Sequence, residues 1–205
     1  MKIELLDITS DATNLIEKIG RICYNSKPGE NYVPGTMVKN LIKRGHTSVL
    51  EHAKATFHIS EVSRALTHQL VRHRLASYTQ RSQRYCKEDE FGYVIPPCIA
   101  AHKHALDKYD EIMKNLSDNY SELVKIGIKP EDARFILPNA CNTEITVTAN
   151  FREWRSIFAL RCESHAQWEI RNLCTEILRI LYSKEPSVFE DQYYEFCREE
   201  VGTNG

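Results

Sequence analysis

The 205-residue sequence predicts an α+β fold, or an irregular α/β one, on three observations. Residues 2–8, 53–59 and 141–149 carry strand-like apolar patterning. Residues 12–22, 99–126 and 166–182 repeat apolar side chains at helical spacing instead. The two kinds of segment follow one another without the regular βαβ cadence of a doubly wound sheet. A single domain over residues 1–205 is expected, because a chain of this length can bury one real core.

Each element has its own justification. KIELLDI at 2–8 reads as a strand, and Leu15, Ile16, Ile19 and Ile22 give 12–22 a helical stripe. SKPGEN at 26–31 forces a turn or loop. After Gly35, Val38, Leu41 and Ile42 line a short helix that Gly45 stops. Ser48-x-x-Glu51 has the spacing of a capping box. Ala53, Ala55, Phe57 and Ile59 then alternate with Lys54, Thr56 and His58, as in a half-buried strand. Ser60 is placed to cap a helix over 61–73 with Val62, Ala65, Leu66 and Leu70 inward, so that Arg72-His73-Arg74 fall at its end. Residues 75–97 read as loop with a short strand at 93–95. A long helix over 99–126 ends at Gly127, and Pro130 starts a short one in PEDARFIL. In 141–149, Thr143, Ile145, Val147 and Ala149 alternate with Glu144, Thr146 and Thr148. Asn150 opens a helix on which Phe151, Trp154 and Phe158 share a face. Ser164-x-x-Gln167 reads as a second capping box before a helix over 166–182, with Ile170, Leu173, Cys174, Ile177 and Leu181 inward. The tail around Pro186 and Phe189 has room for one more short helix.

The totals exclude several classes. With 27 Lys and Arg against 28 Asp and Glu, the whole surface cannot be a polyanion-binding one, so any anion site is local. The sequence has no apolar run of membrane-spanning length and no cleavage signal, which predicts a cytoplasmic chain without a membrane partner. Seven cysteines without a C-x-x-C pair indicate neither a disulfide framework nor a cysteine zinc site. His46, His52 and His58 lack H-x-x-x-H spacing, and no metal is expected. Glycine-turn dinucleotide motifs are missing too, so a bound dinucleotide would be held largely by side chains.

Two concentrations carry chemistry. RHRLASYTQRSQR at 72–84 packs four arginines and a histidine into thirteen positions. Rigid guanidinium forks suit phosphate or carboxylate, and the interleaved Ser77, Thr79, Gln80, Ser82 and Gln83 could orient a phosphate or a planar heterocycle. A solvated basic face is the plainer alternative, and cations at a helix C-terminus also complement its dipole. The second group is Asn150, Arg152, Arg155, Arg161 and His165. Arg161 and His165 are four apart, so one unbroken helix would set them on one face, whereas a new helix capped by Ser164 would leave both around its positive end, where an anion is favoured; an ion pair with an acidic residue is the other reading of Arg161. Cys86 follows the arginines but lacks a recognisable base and orienting partner, and reads as a bystander.

The motifs resemble the flavin-dependent thymidylate synthases. Arg72-His73-Arg74 followed by seven residues and Ser82 is similar to that family's signature, and GHTSVLEH (45–52), DARFILP (132–138), NFREWRSIFALR (150–161) and ESHAQWEI (163–170) resemble family segments in order and spacing. The resemblance implies a small, mostly antiparallel sheet flanked by long helices, the thymidylate synthase-complementing protein fold. It implies reductive methylation of dUMP to dTMP, with 5,10-methylenetetrahydrofolate as carbon donor, NADPH as reductant and FAD as hydride carrier. It also implies a homotetramer with shared active sites and no nucleic-acid partner.

By the same likeness Arg72, His73 and Arg74 contact FAD, together with Ser48, Gln80, Asn150, Arg152, Ser156 and His165. The nucleotide falls to Gln69, Arg72, the loop of Gln80, Arg81, Ser82, Gln83 and Arg84, and to Arg134 and Arg161. Arg161 is the implied catalytic residue, stabilising the uracil ring as charge develops at N3, while Ser82 positions the nucleotide. The sequence departs from the commonest family wording twice. Thr79-Gln80 stands where Asn-Glu is frequent, and Ser156 stands where His or Asn is common. Two other functions use the same residues. One is an RNA-binding module in which Tyr78 and Tyr85 stack bases; the other is a flavoprotein acting on a different pyrimidine nucleotide.

Overall fold

The computed structural model of the chain describes residues 1–88 and 91–197. In order these form β1 (Lys2–Ile8), α1 (Ala12–Tyr24), α2 (Thr36–Lys43), a 3₁₀ turn (Thr47–His52), β2 (Lys54–Ser63), α3 (Arg64–Leu70) and β3 (Ala76–Gln80). There follow α4 (Pro97–Ala100), α5 (Lys103–Lys125), α6 (Pro130–Ala133), a second 3₁₀ turn (Arg134–Ile136), β4 (Asn142–Asn150), α7 (Phe151–Arg161), α8 (Trp168–Lys184) and α9 (Pro186–Phe196). The sheet is small and antiparallel, with strand order β1-β2-β4-β3, and long helices flank it.

The chain divides into two compact units. The first comprises residues 1–2, 58–72 and 78–146, and the second residues 3–57, 73–77 and from 147 on. The first unit packs Phe91, Met113 and Cys141 with Tyr93, Tyr109, Leu116 and Leu137. Its tyrosines find polar ends for their hydroxyls: Tyr93 donates to Asp110 Oδ1 at 2.8 Å and Tyr109 to the Val94 carbonyl at 2.9 Å. In the second unit Trp154 lies edge-on to Phe57 (centroids 5.3 Å, 81°), and Phe189 lies edge-on to Phe151 and Phe158. The indole N–H is satisfied by the Ala55 carbonyl at 3.2 Å. Ile170, Leu173, Cys174, Ile177 and Leu181, the inward stripe expected of α8, are all fully buried.

Three serine caps read from the sequence lie elsewhere. β2 runs past Ser60 to Ser63, because Glu61 adopts φ 57° and bends the strand without ending it. The cap of α3 is therefore Ser63, whose hydroxyl accepts from the Leu66 N–H at 3.0 Å. Ser48 sits inside the first 3₁₀ turn and caps nothing. The cap of α8 is Gln167, whose Oε1 accepts from the N–H groups of Glu169 and Ile170, and Ser164 plays no part in it. Two further differences are of extent. Residues 75–97 contain the strand β3, whereas 93–95 contributes a single bridge from Tyr93 to Cys141. The helix expected over 99–126 is two, α4 and α5, and Gly127 at φ 98° ends the second as expected. Among the described residues no helix is long and apolar enough to cross a membrane.

Candidate functional site

In the second unit the site begins at the N-terminus of α7. Asn150 Oδ1 accepts from the Glu153 N–H at 2.8 Å, the cap expected from the sequence. Glu153, in the helix's first turn, is only 7% exposed. Burial pushes its pKa up, and a hydrogen bond from the Leu75 N–H pulls the other way. At the far end of α7 the Arg161 Nε–H donates to His73 Nε2 at 3.0 Å. His73 is itself buried, and its Nδ1 lies 4.0 Å from Glu153 Oε1. Burial and, after it, the Arg161 charge push the imidazole pKa below its ordinary value. His73 and Arg161, far apart in sequence, are therefore brought together.

Other expected residues of this unit lie on α7 or in the turn that follows it. Arg152 forms an ion pair with Glu51 of the first 3₁₀ turn, which joins the turn carrying Ser48 to α7. Ser156 turns its hydroxyl back onto its own helix, donating to the Arg152 carbonyl at 3.2 Å. His165 lies in the turn between α7 and α8, exposed, and not on a helix face with Arg161. A cavity of about 420 Å³ that the sequence did not announce opens between α1 and α2. There the Arg21 guanidinium stands 4.7 Å over the Tyr32 ring, and Tyr24 stacks on His46 and hydrogen-bonds its Nδ1.

The first unit holds the residues expected on the nucleotide side, apart from Arg161. Gln80, at the end of β3, donates from Nε2 to Thr67 Oγ1 at 2.9 Å and to Thr143 Oγ1 at 3.2 Å. Gln80, Arg81 and Ser82 line a shallow cavity of about 270 Å³ with His58, Glu144 and Thr146. Ser82 Oγ accepts from the Arg84 N–H at 3.3 Å. Arg84 and Arg134 converge on one residue: Arg84 reaches Glu131 Oε2 at 3.2 Å, and Arg134 Nε donates to the Glu131 carbonyl at 3.1 Å. Gln83 is buried, its amide directed at Cys141 Sγ. Arg81 Nε lies 3.7 Å from Glu88 Oε1, and Glu88 is buried. Burial pushes Glu88 up despite Arg81 and Arg64. Gln69 is half-buried in the last turn of α3.

Arg72 belongs to the first unit, and Arg74 to the second. Both are exposed, and among the described residues neither side chain has a hydrogen-bond or ion-pair partner. The carboxylates Glu51, Glu131 and Glu153 and the hydroxyls of Thr67 and Thr143 are parts of these networks that the sequence reading missed. Only Thr143 had a signal, its place on the inward side of an alternating strand.

Comparison with known proteins follows the same segments. Residues 4–187 match the family model described as thymidylate synthase complementing protein. The chain is 43% identical over 201 residues to a flavin-dependent thymidylate synthase of Geobacter sulfurreducens, covering 93% of this chain and 86% of that protein. A protein of the same name from Clostridium tetani is 37% identical over 215 residues, at 93% and 86% coverage. One from Saccharolobus solfataricus is 37% identical, with 93% of this chain and 76% of that protein aligned.

Proposed function

Since the chain belongs to the flavin-dependent thymidylate synthase family, we propose that it converts dUMP to dTMP with 5,10-methylenetetrahydrofolate as carbon donor and NADPH as reductant. It is an FAD-dependent methyltransferase of dTMP biosynthesis. When bound and reduced, FAD supplies the hydride that completes the methyl group. The protein supplies placement and electrostatics.

Arg72 and Arg74 hold the flavin's diphosphate, with Ser48, Asn150, Arg152 and His165 as further contacts. The support for this is that their turn carries guanidinium charge with no acid paired to it among the described residues. Gln69, Arg84 and Arg134 hold the nucleotide, with Gln80 to Gln83 shaping its cavity. Ser82 positions the substrate and does not attack it, since its hydroxyl is engaged with the Arg84 N–H and hydrogen-bonds no base among the described residues.

Arg161 stabilises negative charge on the uracil as N3 gives up or redistributes its proton. Its guanidinium stays cationic at any working pH, so it favours that charge without exchanging a proton. The observation that carries the reading is the Arg161–His73 bond, which docks the end of α7 onto the RHR turn. The active sites are completed between copies of a cytoplasmic homotetramer, each copy contributing one synthase domain over residues 1–205.

Tritium release from C5-labelled dUMP, with FAD-loaded protein, NADPH and methylenetetrahydrofolate, tests the assignment. Release coupled to dTMP formation is expected. Its failure with protein shown to carry flavin would remove the synthase reading.

A further inference from the structure

We propose that Glu153 is a positioning residue for this reaction: through the buried imidazole of His73 it sets how the Arg161 guanidinium is presented. The proposal rests on the role assigned to Arg161 above. An arginine Nε–H can only donate, so the 3.0 Å bond to His73 Nε2 requires that nitrogen to be an acceptor. The imidazole is then neutral, with its proton on Nδ1. That nitrogen is the one turned towards the Glu153 carboxylate, 4.0 Å away.

At 4.0 Å the two groups do not hydrogen-bond, yet in a buried setting a carboxylate still favours N–H on the near side of the ring over N–H on the far side. Were the proton on Nε2, two donors would face each other and Arg161 would have to turn away. Glu153 is also fixed from two directions. Its own N–H is held by the Asn150 cap, and its carboxylate accepts from the N–H of Leu75, two residues beyond His73. One buried acid thus ties the start of α7 to the RHR turn, while the other end of α7 carries Arg161. None of this is predictable from spacing, because Glu153 lies in a helical first turn where an acid is favoured anyway.

Glu153→Gln separates the electrostatic role from the structural one. Its amide oxygen can still accept from Leu75, but the charge that biases the imidazole is gone. Magic-angle-spinning ¹⁵N NMR of histidine-labelled protein, with the His73 signal identified by its loss in His73→Asn, reads the tautomer directly. The wild type should show neutral His73 with N–H at Nδ1. Glu153→Gln should shift the population towards N–H at Nε2 and lower kcat for tritium release about 10-fold, with a thermal midpoint that is not lowered. Glu153→Asp, which keeps the charge, should restore the wild-type tautomer.

A charged or Nε2-protonated His73 in the wild type would overturn the proposal, as would a Glu153→Gln protein with unaltered tautomer and kcat. If Glu153→Gln does not fold, the uncharged Glu153→Met takes its place, with the same tautomer shift expected and an unaltered tautomer overturning the proposal. Because the tautomer is read without substrates, its outcome is independent of whether the protein makes dTMP.

Discussion

The Arg161 guanidinium is directed by its Nε–H bond to His73, so its removal should affect the nucleotide more than the flavin. Arg161→Ala is expected to lower kcat by about 10²- to 10³-fold, the range for losing one preorganised donor to a developing anion, while the protein stays yellow. Arg161→Lys should recover little, since an ammonium has no planar fork with an edge for His73. Steady-state rates and flavin absorbance check both; near-normal turnover of the alanine variant would place uracil activation elsewhere. His73 adds a pH signature. Its folded pKa is below the unfolded value of 6.5, so between the two values the unfolded chain binds a proton that the folded chain refuses. Stability must therefore fall as pH drops below about 6.5. Glu153, with its pKa raised above 4.5, works in the opposite sense over its own window, because its contribution is lost as pH rises. Denaturant unfolding at a series of pH values should show a flatter acid limb for His73→Asn than for the wild type.

At the level of elements, α7 depends on a cap that also stands among the proposed flavin contacts. Asn150→Ala should cost about 1 kcal/mol and lower the thermal midpoint by roughly 2–4 °C. Asn150→Asp keeps an oxygen acceptor and adds a charge suited to a helix N-terminus, so the midpoint should be preserved. If the asparagine N–H₂ also serves the flavin, the aspartate variant will be stable but retain less FAD, which absorbance and a melting curve separate. This cap was legible in the sequence because strand alternation ended and helical spacing began at the same asparagine. β1, β4 and the stripe of α8 were legible for similar reasons. The misplaced caps share a cause: Ser60, Ser48 and Ser164 are each eligible by spacing, but the backbone bend at Glu61, a 3₁₀ turn and the Gln167 side chain decided otherwise. β3 was illegible because ASYTQ is polar on both faces, and Tyr78 is anchored by a hydroxyl bond to the Leu70 carbonyl and not by an apolar stripe. The arginines of the site announced themselves by clustering. Their acids did not, since Glu51 and Glu131 meet Arg152 and Arg84 only through the path of the chain.

For the molecule as a whole, a net charge of −1 conceals an uneven use of its cations. Arg84, Arg152 and Arg155 are neutralised by Glu131, Glu51 and Asp191, whereas Arg72 and Arg74 have no ion pair among the described residues. Cations without internal partners contribute little to the unliganded fold, and their substitution should show only when an anion binds. Arg72→Ala and Arg74→Ala are therefore expected to leave the flavin-free melting temperature nearly unchanged. In the wild type, FAD at 100 times its Kd should stabilise the fold by about 2.7 kcal/mol, which corresponds to a rise of roughly 5–10 °C for a chain of this size. Each alanine variant should lose a large part of that rise, and the double variant nearly all of it. If several copies build one flavin site, the rise should also shrink on dilution below the concentration at which the protein dissociates, while the flavin-free curve at fixed assembly state does not. Scanning fluorimetry with and without FAD, across protein concentrations, measures all of these together. A double variant that keeps the full wild-type rise would mean that the flavin is gripped by the paired arginines or by backbone, and that the unpaired guanidinium groups of the RHR turn serve some other anion.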